Sequence, residues 1–147
     1  MQEIVRREIG EVKKNLKSKR SEEVTQLERR MEREQEEERE KLRAIEERVA
    51  LLFKKRLLKK NIANTDEGRT LEVLTCQGVE SAEKIEGPYS EKVLHYKCNY
   101  GMVLEKLKKN EEALKVYQEV IRDSTLSLGA NNKFGNRASD LLKKIRL

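Results

Sequence analysis

Apolar residues three and four positions apart recur along most of this chain, and only one proline, Pro88, interrupts them. That spacing puts them on one face of an α-helix, whereas a half-buried strand needs strict alternation. Long helices are therefore the main constraint. Charged residues make up 41% of the chain and aromatics 4%, with no Trp, against about 25% charged in ordinary domains. Such a composition cannot bury a large core over the whole length, so the helices must have mostly wet faces. Disorder is the competing reading of so many charges. The helical recurrence of the apolar residues argues against it.

Residues 1–60 read as one long helix. Val5, Ile9, Val12 and Leu16 form a first group, Val24, Leu27 and Met31 a second, and Leu42, Ile45, Val49 and Leu52 a third. The 3-4 alternation inside each group is the seam pattern of a coiled coil. The groups do not join in phase. Lys19 and Glu23 fill the expected slots after Leu16, and the step from Met31 to Leu42 is eleven residues, which fits a stutter. Gly10 weakens the first turns by about 1 kcal/mol relative to Ala. A lone helix without a partner is the competing reading.

The stretch 48–60 combines Val49, Leu52, Phe53, Leu57 and Leu58 with Lys54, Lys55, Arg56, Lys59 and Lys60. A basic amphipathic helix of this kind can bind acidic lipid, RNA or an acidic protein groove. Equally, these can be the last turns of a long helix, where cations complement the dipole and the apolar residues pack on the next domain.

Residues 61–66, NIANTD, are the first break, and Thr65 or Asp66 can N-cap a helix running to about Ile85. Gly78 inside that helix marks a kink or a close helix contact. Gly87-Pro88 is the firmest punctuation, and Ser90 offers the next N-cap. Two amphipathic helices follow over 90–123, joined by a polar turn at Lys109-Asn110. The first carries Leu94, Tyr100, Gly101, Val103, Leu104 and Leu107, the second Ala113, Leu114, Tyr117, Val120 and Ile121.

Gly101 and Ala113 are twelve residues apart, with Tyr117 and Val120 following at four and three. Small residues at the first two positions let two helices cross closely, and the larger ones fill the space around them. This spacing resembles the tetratricopeptide (TPR) repeat, a 34-residue helix–turn–helix unit. Phe134-Gly135 lies 34 residues after Tyr100-Gly101, so NNKFGNRASDLLKKIRL looks like the first helix of a further repeat or a capping helix. TLSLGANN (125–132) then resembles the loop between longer repeats. Lys97 stands where the family usually has a large aromatic, and Thr125 where it has a proline. Helix 66–85 does not align at the same offset. A generic antiparallel hairpin in a small bundle would show many of the same residues. TPR domains that clamp a carboxylate place Asn after the glycine. Here Met102 follows Gly101, and Asn136, which does follow Gly135, lacks a surrounding basic pair at the familiar spacing, which weakens that reading.

No constellation for chemistry stands out. His95 is the only histidine, and with Cys98 three residues on it makes at most a weak metal pair, since a structural zinc site needs four ligands. Cys76 and Cys98 read as reduced thiols. No phosphate-cradling GxxxxGK[ST] or GxGxxG occurs. The net charge of +6, from 33 basic and 27 acidic residues, permits an acidic partner without requiring one. Basic clusters at 13–20, 54–60 and 143–146 could touch phosphates, but interleaved acids argue against specific nucleic-acid binding.

The expectation is an all-α protein. A long, coiled-coil-like N-terminal helix (1–60) and a linker (61–65) precede a short TPR-like antiparallel helical array (66–147), with its repeat at about 90–123 and a further or capping helix at about 131–146. The resemblance implies a non-enzymatic, cytoplasmic adaptor or assembly subunit without a cofactor, related in architecture to motor-linked adaptors such as kinesin light chain and to cytoskeletal or ciliary scaffolds. About three repeats are needed to bury a continuous core, and this chain has roughly one and a half. The missing burial must come from helix 66–85, from self-association, or from a larger partner.

Overall fold

The computed structural model describes residues 2–55 and 61–146. The protein is all-α. Five α-helices and no strand occur among the described residues: α1 Gln2–Lys54, α2 Asp66–Glu86, α3 Glu91–Lys106, α4 Asn110–Leu128 and α5 Lys133–Arg146. The chain divides into two compact units, Met1–Glu37 and Glu38–Leu147. The division falls inside α1 rather than at the 61–65 linker. The reason is local to the second unit: from Glu38 onward α1 has neighbours to pack against.

In the first unit every described side chain from Glu3 to Glu37 is exposed. In the second unit the last turns of α1 join α2–α5 in a helical array. Leu42 packs with Ala82 of α2 and Val93 of α3, and Val49, Leu52 and Phe53 lean on a cluster of Ile62, Leu71 and Val103. Polar contacts fix the same face. Ser81 donates to Glu38 (2.7 Å), and the Tyr96 hydroxyl donates to Glu46. The seam residues Leu42, Ile45, Val49 and Leu52 thus bury their faces within their own chain.

Capping residues cut the array where the sequence indicates. Thr65 Oγ1 accepts from Gly68 N (3.0 Å) to start α2, and Ser90 accepts from Val93 N (3.2 Å) to start α3. Residues 61–65 form the break between α1 and α2. Gly78 is the close contact: a Cβ there would touch Ile45 of α1 at 3.5 Å. The α3–α4 turn is tight, with Lys108 at φ 65°, a left-handed conformation costly for a residue with a Cβ.

Two expectations change. The segment 125–132 is not a loop throughout, because α4 runs on to Leu128. Thr125 and Ser127 satisfy their hydroxyls on the carbonyls of Ile121 (2.6 Å) and Asp123 (3.0 Å), so they cost the helix little. The 34-residue echo is not kept in space either. Gly101 is the eleventh residue of α3, whereas Gly135 is the third of α5. The joints repeat instead at 42 residues. Gly87 (φ 85°) and Gly129 (φ 93°) end α2 and α4 the same way, each N–H bonding the carbonyl four residues back. Three residues later Ser90 caps α3, and Asn132 accepts from Gly135 N (2.7 Å) at the start of α5.

Candidate protein-interaction surfaces

α3 and α4 cross closely at Gly101. A Cβ there would come within 2.4 Å of Tyr117 Cε1, so only glycine allows this approach without a shift of the ring. Tyr117 is fully buried, and its hydroxyl donates to Glu105 (2.6 Å), returning to α3. Burial first, and then that carboxylate, push the phenol well above its ordinary pKa. Leu104, Ala113 and Val120 are fully buried around it, and Phe134, Ala138 and Leu142 of α5 complete the cluster. Six of the eight expected packing residues therefore meet in one core: Leu104, Ala113, Tyr117, Val120 and Phe134, with Gly101 against Tyr117. Tyr100 is half-buried at its edge, its phenol pushed up to about 12 by burial and by Cys76. Gly135 sits 2.9 Å, by its notional Cβ, from Ser124 Oγ.

Lys97 sits on the packed face of α3 for a visible reason. Its ammonium lies 3.4 Å from Asp123, 3.5 Å from Glu83 and 3.8 Å from Glu119. It ties α3 to α2 and α4 at once, with the Asp123 side chain only 6% exposed. In the sequence the lysine stands out, but its partners do not. The signal was there: a lysine on an otherwise apolar face, with an acid, Asp123, on the apolar side of the following helix.

Where α1, α2 and α3 meet, a mainly apolar cavity of about 270 Å³ opens, lined by Leu42, Ile45, Val49, Phe53, Leu74 and Tyr96 among others. The basic stretch beside it is partly described. Lys54 and Lys55 are exposed, while Arg56, Lys59 and Lys60 lie outside the described residues.

The first unit carries a different surface. Val5, Ile9, Val12, Leu16, Val24, Leu27 and Met31 are each between 51% and 59% exposed. The apolar stripe read as a coiled-coil seam therefore stands bare along the helix from Val5 to Met31.

The reactive side chains are quiet. Cys98 is buried, which raises its thiol pKa, and Cys76 is raised by burial and by Glu80. His95 is exposed, and partial burial of its ring, with Arg137 and Lys133 nearby, holds it below its ordinary value. One of the two residues of the weak metal pair is thus in the core. No group of metal-ligating side chains occurs among the described residues, and no helix among them is long and apolar enough to cross a membrane. No family model, curated protein or solved structure matches this chain.

Proposed function

We propose that this chain is a non-enzymatic adaptor or assembly subunit that holds protein partners by helix packing, through TPR-like helices and a coiled-coil-forming helix. The observation that carries this reading is the bare apolar stripe of the first unit. Exposed apolar side chains scattered singly need no explanation, but two successive groups at seam spacing on one helix mark an interaction surface. The second unit supports the TPR-like part. Its helices α2 to α5 pack each on the next, α3 crosses α4 at a glycine–tyrosine contact, and α3 also reaches α5, where Arg137 bonds Met102 Sδ (3.3 Å). Cytoplasmic scaffolds, cytoskeletal or ciliary ones among them, are the setting such an architecture suits.

Capture of acidic lipid, RNA or an acidic protein by 48–60 is the second reading. It has less support for lipid, because Val49, Leu52 and Phe53 lean on the core of the second unit and a membrane-bound helix needs that face free.

The test compares two variants of the full chain in its native complex. Leu27→Asp with Met31→Asp removes the stripe without touching a buried residue, and Lys54→Glu with Lys55→Glu reverses the described cations. Loss of the complex with the first and retention with the second is the expected result. The opposite result replaces the adaptor reading with the second one.

A further inference from the structure

The first unit has a second property besides its stripe. From Glu3 to Arg20 it carries seven basic residues against three acidic, a net +4. From Ser21 to Glu37 it carries three basic against seven acidic, a net −4. One helix therefore presents two halves of equal and opposite charge, divided near its middle.

We propose that the occupant of the stripe is a second copy of this chain, paired antiparallel so that each positive half lies along the partner's negative half. This rests on the reading of the first unit as a pairing helix and goes further by naming the partner, its direction and its register. In an antiparallel coiled coil, an a position of one helix must meet a d position of the other. The spacing of the stripe assigns Val12 to d, Leu16 to a, Val24 to a, Leu27 to d and Met31 to a. Two registers bring a onto d. One sets Val12 opposite the second copy's Val24 but gathers Lys17, Lys19 and Arg20 of both copies at the axis. The one the charges favour sets Leu16 opposite the second copy's Leu27 and Val12 opposite its Met31, with Val24 facing Lys19. By two-fold symmetry this gives four fully apolar layers. The eight-residue step from Leu16 to Val24, which breaks the phase within one chain, falls on the symmetry axis. There both helices carry it, and neither loses register with the other.

The flanking charges agree with that register. Arg20 of one copy lies opposite Glu23 of the other, and Lys13 approaches Glu28. A parallel, in-register pair would instead align Glu23 with Glu28 and set the two positive halves side by side. Each exposed ion pair contributes little to affinity. Charge complementarity selects orientation and partner more than it adds strength.

The test uses the full chain at two ionic strengths and two cysteine variants. Sedimentation should show a dimer. Raising salt from about 0.1 M to about 1 M, where the screening length falls from ~10 Å to ~3 Å, should weaken that dimer roughly tenfold. A parallel dimer, freed of like-charge repulsion, would tighten. Mixing Val12→Cys with Met31→Cys under mild oxidation should give the 12–31 heterodisulfide, identified by peptide mass so that the native Cys76 and Cys98 cannot confuse it. A monomer at all concentrations, a trimer, or 12–12 and 31–31 disulfides overturns the proposal. If the chain is monomeric and yet Leu27→Asp with Met31→Asp still releases it from its complex, self-pairing fails while the adaptor reading stands. If that variant changes nothing either, both fail.

Discussion

Leu27 and Ile45 occupy slots of the same kind on the same helix, each in a 3-4 row of apolar residues, yet Leu27 is 54% exposed and Ile45 is 7% exposed. The pattern along the sequence states that a helix has an apolar face. It does not state what covers that face. For Leu42, Ile45 and their successors the cover is α2 and α3, elements of the same chain that supply Ala82, a glycine at position 78 and Val93 within reach. For Val24, Leu27 and Met31 the stripe remains open. Two like patterns thus have different energetic meanings: the second-unit row stabilises the fold by burial, and the first-unit row stays exposed.

Substitutions at the crossing should separate the units most sharply. Gly101→Val drives a branched side chain into the Tyr117 ring and should cost about 3 kcal/mol or more, at or above the usual range for overpacking, because Tyr117 is pinned to Glu105. A thermal melt followed at the aromatic band checks it, and a cost under about 1 kcal/mol would mean that the crossing can spread. Next in size is a matched pair. Leu42→Ala should lose about 2–3 kcal/mol by opening a hole in the core, while Leu27→Ala should change the stability of the isolated chain by less than about 0.5 kcal/mol at dilute concentration. Equal losses would erase the contrast between the rows. Lys97→Ala should cost about 2 kcal/mol, below the range for fully buried pairs, because Arg122 still reaches Asp123 at 3.2 Å. Lys97→Met, tested beside it, should lose as much, since the uncompensated Asp123 and not the lost volume sets the cost. The smallest effect belongs to the first unit. Gly10 has nothing within 4 Å of its notional Cβ, so Gly10→Ala should strengthen the helix there by about 1 kcal/mol, seen as added ellipticity at the helical minimum.

What could be read from sequence follows the range of the interaction involved. Thr65 and Ser90 were legible as caps because a cap bonds a backbone group three residues away. The all-α class was legible because its period is local. The Gly101–Tyr117 contact was legible only as a family-like spacing, since nothing nearby in sequence reports that a ring lies over the glycine. The ion pairs of Lys97 to Glu83 and Asp123 join residues 14 and 26 positions apart on three helices, and no local rule pairs them. The echo of Phe134-Gly135 misled because two letters recurred while the helix boundaries around them did not. The joints that do recur differ in sequence, Gly-Pro-Tyr-Ser against Gly-Ala-Asn-Asn, and agree only in backbone angle and in the capping oxygen three residues on.

Those two joints act as interchangeable hinge fittings. Each ends a helix with a residue that can turn left-handed and begins the next with a side chain that accepts a backbone N–H. The direction in which the chain leaves one helix and enters the next is therefore written into four residues rather than into the helices themselves. The helices α3, α4 and α5 are then free to change their exposed faces while the path of the chain between them stays the same.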